Sequence, residues 1–185
     1  FQNPENGIVT DKVWHELAFG LENLGRTESE IHISVAETAS FFGIEDWFCK
    51  DVSELSGGQK QILSLASVMA MHPSVLILDE PTGQLDPIAA SEFIRIIYKI
   101  NRELGITVIL SEHRLEDVFP ISDRVIVLED GKLAADASPA EICGVLKERG
   151  SEMYMSLPSP MKIFAELEEN EPVPLTVREG RERLE

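Results

Sequence analysis

Two adjacent carboxylates, Asp79 and Glu80, end the apolar run Val75-Leu76-Ile77-Leu78 and are the residues best suited to chemistry in this chain. Neighbouring acids at the end of a buried segment can hold a hard cation and draw a proton from an attacking water. Upstream, Ser56-Gly57-Gly58-Gln59 opens an apolar-periodic stretch. Ser56 and Gln59 have the spacing of a capping box. A cap does not need Gly57 and Gly58, since each glycine weakens a first helical turn by roughly 1 kcal/mol against alanine. Their bare backbone N–H groups at a positive helix end suit the close approach of an anion. Downstream, His113 follows a second apolar run, Ile106 to Leu110.

These residues need elements to hold them. Ile62, Ala66, Met69 and Ala70 fall at helical spacing, so a helix runs from Ser56 until Pro73 stops it. Val75–Leu78 is too short and too uniformly apolar for a surface helix and reads as a strand covered on both faces, as in a parallel sheet. Asp79 and Glu80 then sit at its C-terminal end, where open α/β sheets hold ligands. Ile106–Leu110 and Arg124–Leu128 read as two further parallel strands, and Glu129-Asp130-Gly131-Lys132 as a hairpin turn. Pro87 after Asp86 is placed for the first turn of a long helix that Gly105 ends. Before the acidic pair, Asp11–Leu24 has the spacing of an amphipathic helix closed by Gly25, and Thr27 with Glu30 opens a second one that Gly43 closes. Arg114–Phe119 reads as a short helix, and Ser138-Pro139-Ala140-Glu141 as the opening of another. From Gly150 onward, Pro158, Pro160, Pro172 and Pro174 suggest a linker with short helices.

Composition excludes several functions. The net charge of -17 argues against a general nucleic-acid surface, because phosphate binding rests on Lys and Arg. Cys49 and Cys143 have no metal or redox spacing, which reads as a pair of reduced thiols. His15 and His32 lie on predicted helices without partners of metal type. No apolar run approaches the ~18 residues of a membrane span, so a membrane role is expected to come through a partner.

The order of these motifs resembles the ABC-type ATPases. Phe1-Gln2-Asn3-Pro4 looks like their Q-loop, Leu55-Ser56-Gly57-Gly58-Gln59 like the signature motif, and Leu76-Ile77-Leu78-Asp79-Glu80-Pro81-Thr82 like Walker B. Gln84-Leu85-Asp86 looks like the D-loop, and His113 like the switch histidine. The resemblance implies an α/β fold, a P-loop NTPase-type parallel sheet with an inserted helical subdomain. It implies three parts: 1–68 with the Q-loop, helical subdomain and signature helix, 69–149 with the rest of the core, and 150–185 as linker. It also implies ATP and Mg²⁺ as cofactors, with Glu80 as general base and His113 positioning the water. Asp79 would hold Mg²⁺, with Gln2 sensing the metal or the water. Ser56, Gly57, Gly58 and Gln59 would bind the γ-phosphate of ATP held by a partner, and Asp86 would work across that interface.

No G-x-x-x-x-G-K-[ST] occurs in the 185 residues. The expectation is therefore a fragment whose sheet lacks the phosphate-loop strand, inactive by itself, from an active parent ATPase. Phe1-Gln2-Asn3-Pro4-Glu5-Asn6 looks like the ATPases of energy-coupling-factor (ECF) importers of vitamins and metal ions. Gln84 and Ser111-Glu112-His113-Arg114 look like their tandem members, and Pro174–Glu179 like the connector before a second half. The implied partners are a second ABC ATPase domain, head to tail, and a transmembrane subunit reached through the Q-loop and helical lobe, with no nucleic acid. The implied place is the cytoplasmic face of the membrane, peripherally. Two alternatives stand beside this: a non-catalytic interaction module, and a soluble ABC ATPase of DNA repair or translation.

Overall fold

Glycines and caps set the N-terminal helices where the sequence predicts them. In a computed structural model, which describes residues 7–167 and 172–185, α1 spans Val13–Asn23 and α2 spans Glu28–Phe42. Thr27 caps α2 with both halves of a capping box, its N–H donating to the Glu30 carboxylate at 2.8 Å. Gly43 ends α2 with φ 65°, a left-handed conformation that glycine adopts without steric cost. Val13, Leu17, Ala18 and Leu21 form the buried face of α1, against Val35 and Ala39 of α2 and Leu63, Ala66 and Ala70 of the next helix region. Leu17 and Leu63 are fully buried, each contributing about 1.5–3 kcal/mol over exposure. Glu16 is also buried, and its carboxylate accepts from the Val9 N–H, the Thr10 N–H and the Thr10 hydroxyl at 3.0, 2.9 and 3.0 Å. Three donors offset the cost of burying that charge and tie residues 9–10 to α1.

Helix α3, Gly57–Met69, begins as predicted, with Ser56 and Gln59 in a complete capping box. It ends ahead of Pro73. His72 turns the chain through φ 52°, and Ser34 holds that turn by donating to the Ala70 carbonyl at 2.8 Å while its Oγ lies 3.1 Å from His72 Nε2. Strand β1, Val75–Asp79, and strand β2, Thr107–Ser111, pair in parallel, from Val75 opposite Thr107 to Asp79 opposite Ser111. The crossover between them is α4, Pro87–Leu104, capped by Asp86 and closed by Gly105 at φ 66°. Ala90, Phe93, Ile94, Ile97 and Ile100 recur at three- and four-residue spacing as its buried stripe, and α4 packs on α3 and β2. The expectation of a strand covered on both faces needs correction. Leu76 is 4% exposed, but Val75, Ile77 and Ile109 are 49, 71 and 55% exposed. Successive side chains on a strand point to opposite faces, and one face of this pair is packed while the other is open to solvent.

The chain divides by internal contacts into two compact units, 1–113 and 114–185. In the second unit, α5 spans Leu115–Val118, β3 Val125–Glu129, β4 Lys132–Ala137 and α6 Ile142–Arg149. Helix α7 spans Ser159–Leu167 and α8 Val177–Leu184. β3, expected as a third parallel strand, has β4 as its ladder partner, antiparallel through the predicted turn, where Asp130 and Gly131 take φ 50° and 71°. Ser138–Glu141 forms a turn rather than the opening of a helix: the Ser138 hydroxyl donates to Glu141 at 2.6 Å, and α6 begins at Ile142. The proline-punctuated tail is not a loose linker. Leu157, Met161, Phe164, Ala165 and Val173 share one apolar core with Ile142, Cys143 and Leu146, because Met161, Phe164 and Ala165 fall on one helical face. Cys49 and Cys143 are both free thiols, the first exposed and the second buried.

Two predictions follow from these local structures. The Asp86 carboxylate accepts from the Ile88 and Ala89 N–H groups at 3.0 and 3.1 Å. Asp86→Ala is therefore expected to cost about 1 kcal/mol and Asp86→Ser much less, read as a lower urea midpoint at unchanged m-value. The Tyr154 phenol donates to Glu166 at 3.1 Å, and its pKa is pushed up to about 12, by burial first and by Glu166 second. Folding thus favours the protonated phenol. That stability is complete below the unfolded tyrosine pKa of about 10 and is lost as pH rises through about 12. The difference in phenolate absorbance between wild type and Tyr154→Phe should show a single step near 12; a step near the unfolded value would contradict this packing.

Candidate active site

The ends of β1 and β2 bring the chemically suited residues together. Because Asp79 stands opposite Ser111, the chains leaving both strands start side by side. The Ser111 hydroxyl donates to Asp79 Oδ1 at 2.5 Å. The Glu80 N–H donates to the Ser111 carbonyl at 3.0 Å and lies 3.1 Å from its Oγ. Ser111 thereby fixes the orientation of one acid and the backbone of the next. Glu80 takes φ 43°, a left-handed conformation costing a non-glycine residue roughly 1–2 kcal/mol. The bonds to Ser111 help to hold it there.

That turn aims Glu80 at the second loop. His113 Nε2 lies 2.9 Å from Glu80 Oε1, with the two side chains 84 and 43% exposed. With the proton on Nε2, the imidazole donates to the carboxylate and leaves the other Glu80 oxygen for a water. Behind them, Glu112 Oε1 accepts from the Thr82 hydroxyl at 2.6 Å and the Thr82 N–H at 2.9 Å. The segment after Glu80 turns by Gly83 N–H to the Glu80 carbonyl and Leu85 N–H to the Thr82 carbonyl, at 3.2 and 3.0 Å, and delivers Asp86 as the cap of α4.

Asp79, Glu80 and His113, singled out from the sequence, are thus brought into one hydrogen-bonded group. Ser56, Gly57, Gly58 and Gln59 stand together at the start of α3. The Ser56 N–H donates to Gln59 Oε1 at 2.9 Å and the Gln59 N–H to Ser56 Oγ at 3.3 Å. Ser56 therefore still has a hydroxyl proton to donate, and first-turn N–H groups have no carbonyl partner within their helix. Gly58 has a packing reason besides: a Cβ there would stand 3.2 Å from the Cβ of Ala89 in α4, tighter than ordinary contact. Asp86 serves as a helix cap. Gln2 lies outside the described residues. Ser111, Glu112 and Thr82, quoted within the motifs but given no role there, are site residues. The signal for Ser111 was the pairing register of two apolar runs, and for Glu112 its place beside His113.

Among the described residues no three His, Cys, Asp or Glu side chains converge as a metal cage. The oxygen donors of Asp79 and Glu80 suit a cation such as Mg²⁺, which keeps several waters and is usually bound by one or two carboxylates plus phosphate oxygens. Among the described residues no helix is long and apolar enough to cross a membrane.

Comparison with known proteins shows what the chain is similar to. Residues 3–83 match the model of the ABC transporter family. A protein named as an ABC transporter ATP-binding protein in Bacillus thuringiensis is 46% identical over 184 residues, covering 100% of this chain and 33% of that protein. The energy-coupling factor transporter ATP-binding protein EcfA1 of Caldanaerobacter subterraneus is 47% identical over 144 residues, 77% of this chain and 51% of that protein. The chain thus spans about a third to a half of the length of these relatives. Among solved structures, cbiO1 of Clostridium perfringens, part of the ABC transporter complex cbiONQ, matches with a TM-score of 0.72 and 34% identity, over 89% of this chain and 65% of that one. The α/β fold is that of the ABC-type P-loop NTPases. Residues 3–83 thus carry the ABC transporter domain match, and the homologues of this chain are ABC transporter ATP-binding proteins.

Proposed function

We propose that this chain supplies the signature, Walker B, D-loop and switch-histidine parts of an ATP-hydrolysing subunit of an ECF-type importer, taking up a vitamin or a metal ion. The observation that carries the reading is the 2.9 Å contact between His113 and Glu80, made across two loops at the C-terminal end of parallel strands. The EcfA1 relative and the cbiO1 neighbour support the importer class.

In this reading Glu80 polarises the attacking water as general base. His113 holds the Glu80 carboxylate and orients it toward the γ-phosphate. Asp79, its carboxylate fixed by Ser111, would hold Mg²⁺, which would supply charge neutralisation to the phosphates. Ser56, Gly57, Gly58 and Gln59 offer a hydroxyl and helix N-terminal N–H groups to the γ-phosphate of ATP bound by a second ATPase domain. Asp86 and the turn before it face that second domain, and Gln2 passes the state of the site to the helical lobe. Phosphoryl transfer of this kind is mostly positioning and electrostatics, which suits a site made of loop ends held by hydrogen bonds. The transmembrane partner reads the helical lobe, so the subunit lies peripherally on the cytoplasmic face of the membrane.

A second reading rests on one sequence fact. The 185 residues contain no G-x-x-x-x-G-K-[ST], so taken alone they present the signature face and helical lobe as an interaction module. Calorimetry on the 185-residue chain is expected to show only weak Mg-ATP binding, and micromolar affinity would contradict that.

The test of the catalytic reading is Glu80→Gln in the complete gene product. Removal of a general base costs about 10²–10⁴-fold, so turnover should fall at least about a hundredfold while nucleotide affinity stays within about twofold. Hydrolysis within a few-fold of wild type would remove Glu80 from the role of base.

A further inference from the structure

We infer that Glu112 is a positioning residue for hydrolysis, acting with Thr82 as a clamp between the loop that carries Glu80 and Asp86 and the loop that carries His113. This rests on the catalytic reading of Glu80 and His113 given above.

Glu80 and His113 meet through one contact, and their side chains are 43 and 84% exposed. Nothing in so exposed a pair fixes its own geometry. The fixed point lies behind it. Thr82 is 3% exposed, and both its polar donors end on the same Glu112 oxygen, the hydroxyl at 2.6 Å and the N–H at 2.9 Å. The other Glu112 oxygen accepts the N–H of His113 at 3.2 Å. One carboxylate thus joins backbone and side chain of two loops whose residues stand 30 apart in sequence. Bonds to an ionised acceptor are shorter and stronger than neutral ones.

The leverage follows from where the two residues sit. Thr82 is two residues after Glu80, within the turn closed by Gly83 N–H to the Glu80 carbonyl and Leu85 N–H to the Thr82 carbonyl. That turn leads to Asp86 and α4. Glu112 directly precedes His113. A shift of Thr82 against Glu112 therefore moves the base relative to the imidazole, and moves the D-loop turn with it. Positioning errors of this kind lower the rate of the chemical step more than the affinity for substrate.

The test is steady-state ATP hydrolysis by the complete gene product, comparing Glu112→Ala, Thr82→Val, their double variant, Glu112→Gln and Glu80→Gln, with thermal melting of each. Glu112→Ala and Thr82→Val are each expected to lower kcat about tenfold with KM for ATP within about twofold. The double variant should be no worse than about the poorer single, since residues in one contact are not additive. Glu112→Gln, which keeps an acceptor for Thr82, should retain about a third of wild-type kcat. Normal kcat in Glu112→Ala and Thr82→Val, or losses that multiply in the double variant, would overturn the clamp. Should Glu112→Ala fail to fold, Thr82→Val decides, because it replaces one hydroxyl by a methyl of the same shape and leaves every charge in place. Glu80→Gln separates the two levels: if it turns over normally, the catalytic reading fails and the clamp with it, whereas a dead Glu80→Gln beside normal clamp variants removes the clamp alone.

Discussion

The in-register parallel pairing of β1 with β2 decides where every group of the candidate site stands. Asp79 opposite Ser111 puts the serine hydroxyl within 2.5 Å of the first acid, and the same serine carbonyl extends the ladder by one more bond, to the Glu80 N–H. A slip of one residue would turn each side chain of one strand to the opposite face, and Ser111 would lose both acids at once. Register is secured by packing: Leu76 faces the core while Val75 and Ile77 do not, so only one alternation buries the apolar set on the α4 side.

Backbone donors carry much of the polar architecture. Capping boxes open α2 and α3, and a buried Glu16 collects three donors from the segment before α1. The capping residues take N–H groups that the helix itself cannot satisfy, whereas Glu16 takes donors of the segment before its helix. The start of α3 combines this economy with close packing, since Gly58 leaves its first-turn N–H bare of a side chain and also lets Ala89 approach. A side chain at that position would press on Ala89.

Much of the first unit was legible in the sequence, because its signals are local. The cap of α2, its glycine stop, the cap of α3 and the proline and glycine bounds of α4 are each written within a few residues. Asp79, Glu80 and His113 were legible as strand-end residues. Thr82 and Glu112 were not, because their bond depends on register between segments 30 residues apart, which local periodicity does not encode. The half-open face of β1 was missed for a related reason: an apolar run such as Val75–Leu78 does not reveal how many of its faces are packed. In the second unit the prolines at 158, 160, 172 and 174 spoke for a linker. The helical spacing of Met161, Phe164 and Ala165 outweighs them, since three buried side chains yield more than the prolines cost at helix margins.

The left-handed turn at Glu80 also bears on the order in which this molecule matures. Its φ of 43° is held by a serine on a strand that enters the sheet only after an 18-residue helix has crossed over. The acid–imidazole pair needs both strand ends, whose groups stand 32 residues apart in sequence, and therefore waits for that closure. A nascent or partly melted chain without that crossover would consequently lack the contact between Glu80 and His113. The meeting of acid and imidazole is then withheld from every intermediate in which the crossover is incomplete.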